Sequence, residues 1–296
     1  MPEIVEVRKY ADFITQKMYG KKVEEILILN GRYKKHGKPK GFSLLDFPFK
    51  IISVNTKGKL LYMTLDNGLY IVSTLGLSGG WCFKSTRSDK YDFPNMFEQY
   101  QNNEKLDKYL KRALNHLNIE FVTNHGSLYF FDTLSFGTLS VMDKTELSKK
   151  LQKLGPDIMD DSTNFDVFLE KVVQKPNEKI GNILMDQTVL SGIGNYLRAD
   201  VLYLSKVNPF RKVKDLSKKE LERIYDNCKI LTLGEYDRNL LKKKYKLPIR
   251  FLPYDYDRLF FVYMQDTDIH GNKVLKKELY KGSQKRFIYY VDHIQK

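Results

Sequence analysis

The chain has 296 residues, 42% of them hydrophobic, and carries 50 lysines and arginines against 36 aspartates and glutamates, a formal net charge of +14. That length predicts two domains, each able to bury its own core, and the basic excess points first to nucleic acid as the partner. No stretch approaches the roughly 18 uncharged apolar residues of a membrane span, and two cysteines, Cys82 and Cys228, exclude a cysteine-rich zinc finger.

Glu3, Glu6, Arg8 and Lys9 interrupt the opening residues, so no signal peptide is expected. An intracellular monomer, in nucleus, cytoplasm or a viral factory, is the expectation. The frequent Lys, Asn, Ile and Tyr hint at an AT-rich genome. The five histidines lack ligand spacing, and neither metal nor cofactor is expected.

In chain order, Val7, Tyr10, Ala11, Ile14 and Met18 fall at helical spacing between Glu3 and Gly20 and predict a first helix that ties down the N-terminus. A basic loop is predicted from Gly31 to Gly41, with Lys34, Lys35, Lys38 and Lys40. Two hairpins follow. Leu60 to Leu65 and Leu69 to Leu75 flank Asp66-Asn67-Gly68, and Ile119 to Thr123 and Leu128 to Phe131 flank Asn124-His125-Gly126; Asn-Gly is a strong hairpin signal.

A polar, lysine-rich run from Lys144 leads to a turn at Leu154-Gly155-Pro156-Asp157. Helices are predicted over Phe165 to Val173, after the cap candidates Thr163 and Asn164, and over Leu184 to Leu190 and Tyr196 to Leu204. Ser217 and Glu220 form a capping box for a longer helix. Strands return at Phe260 to Met264 and Arg286 to Val291. The expected fold class is α+β: an N-terminal β-sandwich domain over residues 1–140, a linker over 141–153, and a C-terminal helical domain over 154–296. The last of these ends in a β-hairpin from about 259 to 296.

Two places carry chemistry. Removal of Met1 would expose the secondary amine of Pro2 beside the carboxylate of Glu3. An N-terminal amine titrates near 7.7–8.0, so it is partly neutral at pH 7 and able to attack carbonyl-like carbon. Ser191-Gly192-Ile193-Gly194-Asn195 precedes a predicted helix. Gly192 and Gly194 let backbone approach an anion at the helix N-terminus, and Asn195 can add a side-chain donor.

The run Leu184 to Arg198 resembles the helix-two-turn-helix motif of the formamidopyrimidine-DNA glycosylase and endonuclease VIII family, whose members begin with Pro-Glu after methionine removal. Lys57-Gly58-Lys59-Leu60-Leu61 resembles its R-G-K-x-L strand, Gly76-Leu77-Ser78-Gly79 its G-M-S-G loop, and Asp132-Thr133-Leu134-Ser135-Phe136-Gly137 its D-x-R-R-F-G loop. Leu154-Gly155-Pro156-Asp157 resembles its L-G-P-E/D. Six segments stand in the right order across nearly the whole chain.

The resemblance implies a bifunctional DNA glycosylase and AP lyase of base excision repair. Pro2 is the implied nucleophile, Glu3 the proton carrier, Lys59 a positive charge near phosphate or leaving group, and Glu6 a supporting carboxylate. Asn195, Gly192, Gly194 and Arg286 are the implied phosphate contacts; Leu77 and Phe136 would fill the space left by a flipped nucleotide in double-stranded or single-stranded damaged DNA. Bacterial members end in a four-cysteine finger, whereas this chain has no cysteine after Cys228. Tyr263, Gly271 near the turn, and Arg286-Phe287-Ile288-Tyr289-Tyr290 resemble instead the zincless finger of the endonuclease VIII-like 1 branch. In it Arg286, or its neighbour Lys285, grips phosphate, and Phe287, Tyr289 and Tyr290 replace the metal by packing.

That branch implies oxidised pyrimidines and ring-opened purines as substrates. Leu134 and Ser135 stand where the family often has arginines, which loosens reading of the opposite base. Val5 replaces a second proline. A lesion-capping loop is expected between roughly Thr232 and Pro253. The competing readings are a catalytically inert damaged-DNA-binding protein of the same fold and a structural RNA-binding protein.

Overall fold

The computed structural model describes residues 2–94, 104–236, 260–281 and 284–296. The chain divides into two compact units, Met1–Gln152 and Lys153–Lys296.

The first unit is a β-sandwich with helices at its edges. One sheet has the order β1 (Lys22–Val23), β3 (Phe49–Lys57), β4 (Leu60–Leu65), β5 (Tyr70–Thr74), β10 (Thr138–Met142). The other runs β2 (Glu25–Ile28), β8 (Leu117–Thr123), β9 (Gly126–Asp132), β6 (Gly79–Ser85), β7 (Tyr91–Asp92). Every named pairing is antiparallel. Inward residues of both sheets share one core, in which Met63 and Ile71 join Trp81, Phe121 and Phe130; the Trp81 ring lies 5.1 Å from Phe130 and 5.6 Å from Phe121. Helix α1 (Ile4–Met18) buries Ile4, Val7, Tyr10, Ala11, Ile14 and Met18 along one stripe and lies against β3, β4, β6 and β9. Its amino end is thereby anchored.

Both hairpins form where expected. Gly68, at φ 83°, takes the left-handed position of the first turn, and its N–H donates to Leu65 O at 3.1 Å. In the second, Thr123 pairs with Gly126 across Asn124-His125. Two expectations for this unit need correction. The predicted loop from Gly31 to Gly41 begins with helix α2 (Gly31–His36), because Asn30 Oδ1 accepts the Gly31 N–H at 2.8 Å and caps it. Residues 141–153, predicted as a linker, contain the end of β10 and helix α4 (Lys144–Gln152). The ammonium of Lys57 in β3 donates to Leu151 O at 3.1 Å near the carboxyl end of α4.

The second unit is helical. Its elements are α5 (Phe165–Val173), α6 (Ile180–Ile183), α7 (Asn195–Leu204), α8 (Lys218–Tyr236) and a terminal hairpin, β11 (Leu275–Lys281) with β12 (Gln284–Tyr290); α3 (Glu104–Leu114) belongs to the first unit. Asn164 caps α5 through Val167 N–H at 2.9 Å. Ser217 and Glu220 close the predicted box on α8, with Ser217 N–H donating to Glu220 Oε2 at 2.7 Å.

Leu184 to Leu190, predicted as helix, is instead a pair of turns after α6. Asp186 Oδ1 accepts the N–H and hydroxyl of Thr188, and the carbonyl of Asp186 accepts Val189 N–H; these side-chain bonds replace the helical ladder. Phe260 to Met264, predicted as strand, is a run of turns. Gly271, expected near the hairpin turn, lies in an earlier tight turn at φ 83°, closed by Asp268. The β11–β12 ladder extends to the pair Lys281 and Gln284. Most of the segment expected to hold the lesion-capping loop, and Lys242, Lys243 and Lys244 with it, lies outside the described residues.

Candidate active site

Pro2 leads directly into Glu3, the N-cap of α1, with extended backbone at φ −113° and ψ −167°. The Glu3 N–H donates to Glu6 Oε2 at 2.8 Å, the Glu3 side chain accepts the Glu6 N–H, and the Glu3 carbonyl accepts Val7 N–H at 3.0 Å. Glu3 is 0% exposed. A carboxylate is tolerated there because it sits at the positive end of the helix and satisfies a backbone donor. Lys59 follows Gly58, whose φ of 55° makes the tight β3–β4 turn. The two strands that bracket Lys59 are among those on which α1 lies.

The loops bearing Leu77 and Phe136 are fastened together. The carboxylate of Asp132, buried at the end of β9, accepts the Ser78 hydroxyl at 2.5 Å, Leu134 N–H at 3.2 Å and Gly137 N–H at 2.6 Å. Ser78 Oγ in turn accepts Leu134 N–H at 2.9 Å. A side chain at Gly76 would come within 2.6 Å of the Phe136 carbonyl carbon, so the two loops touch through a glycine at φ 57°. Leu77 is 44% exposed and Phe136 59%. Arg32 of α2 donates to the carbonyls of Ser135 and Gly137, each at 3.4 Å. Ser135 itself holds φ 60°, a strained conformation for a residue with a side chain.

In the second unit, the turn before α7 is stiffened by Gln187. Its amide donates to Met185 O and Ile193 O, and its oxygen accepts Gly192 N–H at 3.0 Å. Gly192, at φ 115°, therefore has its amide already engaged, and Gly194 is the N-cap of α7. Asn195 is half-buried at the first helical position. Its Oδ1 accepts from Arg198 Nη2, which also donates to Phe287 O in β12 at 2.9 Å, while Arg198 Nη1 donates to Gly181 O at 3.1 Å.

Helix α7 holds the terminal hairpin and its approach by side chains. Both carboxylate oxygens of the buried Asp200 accept backbone N–H groups, from Phe261 at 3.1 Å, Val262 at 3.0 Å and Tyr263 at 3.2 Å. Burial pushes the Asp200 carboxyl up to about 6, and the three N–H donors oppose that rise. The Tyr203 hydroxyl donates to Asp268 Oδ2 at 2.9 Å. Rings continue the attachment: Tyr196 on Phe260 at 5.1 Å, Phe260 on Tyr263 at 5.3 Å, Tyr263 on Tyr289 at 5.3 Å. Of the three aromatics expected to replace a metal, Tyr290 is buried against Phe210, and Tyr289, on the other face, packs on Tyr263. Phe287 faces outward under the ammonium groups of Lys276, 4.5 Å away, and Lys285, 5.3 Å away.

Strand alternation separates the two basic candidates on the hairpin. Arg286 shares its face with the buried Ile288 and Tyr290, on the side turned to α6 and α7. Lys285 lies on the opposite face and is ion-paired with Glu278. The side chain of Arg286 makes no hydrogen bond or ion pair among the described residues. Arg32, Asp132, Arg198 and Asp200 were not singled out as site residues in the sequence. The signal available for the last two was a pair of charges inside the otherwise apolar run Tyr196 to Tyr203.

Among the described residues, no group of three or more His, Cys, Asp or Glu could hold a metal ion. No helix among them is long and apolar enough to cross a membrane.

The arrangement has the architecture of helix-two-turn-helix DNA glycosylases. A family model described as Formamidopyrimidine-DNA glycosylase N-terminal domain matches residues 1–139, and one described as Formamidopyrimidine-DNA glycosylase H2TH domain matches 154–234. Formamidopyrimidine-DNA glycosylase of Mycoplasma genitalium is 30% identical over 232 residues, covering 77% of this chain and 72% of that protein. The protein of the same name from Bacillus cereus strain ATCC 14579 is 29% identical over 239 residues, 79% of this chain and 77% of its own. Lactococcus lactis formamidopyrimidine-DNA glycosylase, solved non-covalently bound to DNA containing an AP site, shares the fold with a TM-score of 0.74 at 17% identity over 100% of both chains. The same bacterium's wild-type enzyme with DNA containing an oxidised pyrimidine gives 0.75 at 18% over the same coverage. The chain belongs to the formamidopyrimidine-DNA glycosylase family, enzymes of base excision repair with DNA N-glycosylase and AP lyase activity.

Proposed function

We propose that this glycosylase excises oxidised bases, chiefly pyrimidines and ring-opened purines, with its own N-terminal amine as the nucleophile. The observation that carries the reading is the fully buried Glu3 carboxylate, held at the head of α1 in the residue next to Pro2. With Met1 removed, the Pro2 nitrogen attacks C1′; the N–C1′ bond forms as the bond from C1′ to the base breaks. Glu3 delivers a proton to the ring oxygen, the sugar opens, and the nitrogen becomes an iminium. Loss of a C2′ proton expels the 3′ phosphate, and a second elimination expels the 5′ phosphate, leaving a one-nucleotide gap. Lys59 supplies positive charge for these departures.

Glu6 holds the Glu3 backbone. Leu77 and Phe136 occupy the vacancy left by the extruded nucleotide. Asn195 and Arg286 bind phosphate, with the turn of Gly192 and Gly194 beneath them. The partner is damaged DNA, and the net charge of +14 favours it. The zincless-finger, endonuclease VIII-like 1 reading of the tail is supported by the hairpin standing on α7 in a segment without cysteine.

Borohydride trapping tests the chemistry. Processed protein and a duplex carrying an abasic site or dihydrouracil should give a covalent complex on reduction, and Pro2→Gly should remove or sharply reduce it. Retained DNA binding with no trapped complex, Met1 being absent by intact mass, would instead establish an inert damaged-DNA binder.

A further inference from the structure

Arg198 is 1% exposed, yet its guanidinium reaches three separate pieces of the second unit. It bonds the carbonyl of Gly181 in α6, the side-chain oxygen of Asn195 at the start of α7, and the carbonyl of Phe287 in β12. Phe287 directly follows Arg286. One buried cation therefore touches one proposed phosphate ligand and the residue next to the other.

We propose that Arg198 is a positioning residue of the phosphate-binding surface, setting the Asn195 amide and the strand carrying Arg286 in one arrangement so that they grip the DNA backbone as a unit. The proposal rests on the reading of Asn195 and Arg286 as phosphate ligands.

Three physical points carry it. Burial keeps Arg198 from touching DNA, so any effect on binding passes through its neighbours. Its donors select the orientation of Asn195: an amide turned by 180° would set Nδ2–H against guanidinium N–H, so the observed bond leaves Nδ2 as the end free to donate outward. And the planar fork of an arginine spans acceptors in different directions from one fixed plane, which a lysine ammonium on a flexible stem does not reproduce. The hairpin has little latitude on this side, because a side chain at Gly181 would come within 2.7 Å of Leu279 Cδ2 in β11.

The test is a comparison of Arg198→Lys in two backgrounds, wild type and Asn195→Ala/Arg286→Ala. Binding is measured on a duplex containing a tetrahydrofuran abasic-site analogue, and borohydride trapping on a duplex with a natural abasic site. In the wild-type background Arg198→Lys should weaken binding by about tenfold. It should raise the half-saturating DNA concentration far more than it lowers the trapping rate at saturation. In the doubly substituted background it should add no further loss. An equal loss in both backgrounds would mean general loosening and would overturn the proposal, as would unchanged binding in the wild-type background. If the Asn195→Ala/Arg286→Ala protein itself bound as wild type, the phosphate reading would fall first, whatever Arg198 does. Arg198→Met, which leaves no lone buried ammonium, carries the same comparison should Arg198→Lys fold poorly by thermal melting.

Discussion

Glu3 and Glu6 close on each other at the head of the first helix: the Glu3 N–H donates to Glu6 Oε2 at 2.8 Å while the Glu3 side chain accepts the Glu6 N–H. The backbone that delivers Pro2 is thus fixed by a carboxylate one turn along. Glu6→Gln keeps an acceptor for the Glu3 N–H, whereas Glu6→Ala removes it. The alanine variant should lose about 1 kcal/mol of stability in denaturant unfolding. Its trapping rate should fall by about tenfold, because a misplaced nucleophile is costly. The glutamine variant should stay close to wild type in both; equal loss in the two would show that Glu6 acts through its charge.

Processing should switch the chemistry without switching binding. With Met1 attached, the Pro2 nitrogen is a tertiary amide and has no lone pair to offer. Protein whose intact mass retains Met1 should bind abasic duplex as the processed form does and give no borohydride-trapped complex. A trapped complex from wholly unprocessed protein would move the nucleophile to another amine.

Asp132 gathers the two exposed loops through one buried carboxylate. Asp132→Asn replaces an acceptor by a donor facing either Gly137 N–H or the Ser78 and Leu134 donors, and should cost about 2 kcal/mol in unfolding free energy. Its activity should fall more on duplex than on single-stranded abasic substrate, since only a duplex leaves a gap for Leu77 and Phe136 to fill. Equal losses on both substrates would detach the loops from nucleotide extrusion.

The hairpin offers a choice between adjacent cations. Arg286→Ala should lower the slope of log binding constant against log salt by about one. Lys285→Ala should leave the slope near that of wild type, because Lys285 is paired with Glu278 on the other face. A reversed result would shift the phosphate contact by one residue.

Asp200 should leave a pH signature. Its carboxyl is pushed up to about 6 by burial, from an ordinary value of 3.8. Between those values the folded protein binds more protons than the unfolded chain, so this group's contribution to stability falls as pH rises. The wild type should therefore lose stability relative to Asp200→Asn from about pH 4 to about pH 6 and change little relative to it above that. Urea melts of both proteins at pH 4.5 and 7 measure this; a constant difference would mean that Asp200 titrates at the same pH in the folded and unfolded states, so that burial does not raise it.

Local chemistry made part of the fold readable. The Asn164 cap, the Ser217–Glu220 box and the Asp66-Asn67-Gly68 turn act within a few residues, and each stands where its pattern indicates. The misreadings have a different origin. Phe260 to Met264 looks like a strand by composition, but its backbone donors go to Asp200, about sixty residues earlier. Leu184 to Leu190 has helical spacing, but Asp186 and Gln187 intercept its amides and carbonyls. Among the proposed site residues, Pro2, Glu3 and Lys59 were legible as short motifs in the sequence. Asp132 lay within a recognised motif but showed its role only when two loops met on its carboxylate, and Arg198 and Asp200 showed theirs only when the tail returned to α7.

Among the described residues, three side chains of helix α7 are hydrogen-bonded to the tail: Arg198 to Phe287, Asp200 to residues 261–263, and Tyr203 to Asp268. In a four-cysteine finger the metal ligands lie within the finger itself, which can diverge from the helices beneath it so long as the cysteines remain. Here the holding groups are divided between two stretches of chain some sixty to ninety residues apart. Substitutions at 198, 200 or 203 should therefore be matched, among relatives sharing this tail, by changes in how the tail's backbone and Asp268 find their partners. Grafting this hairpin onto another glycosylase would require transplanting α7 with it.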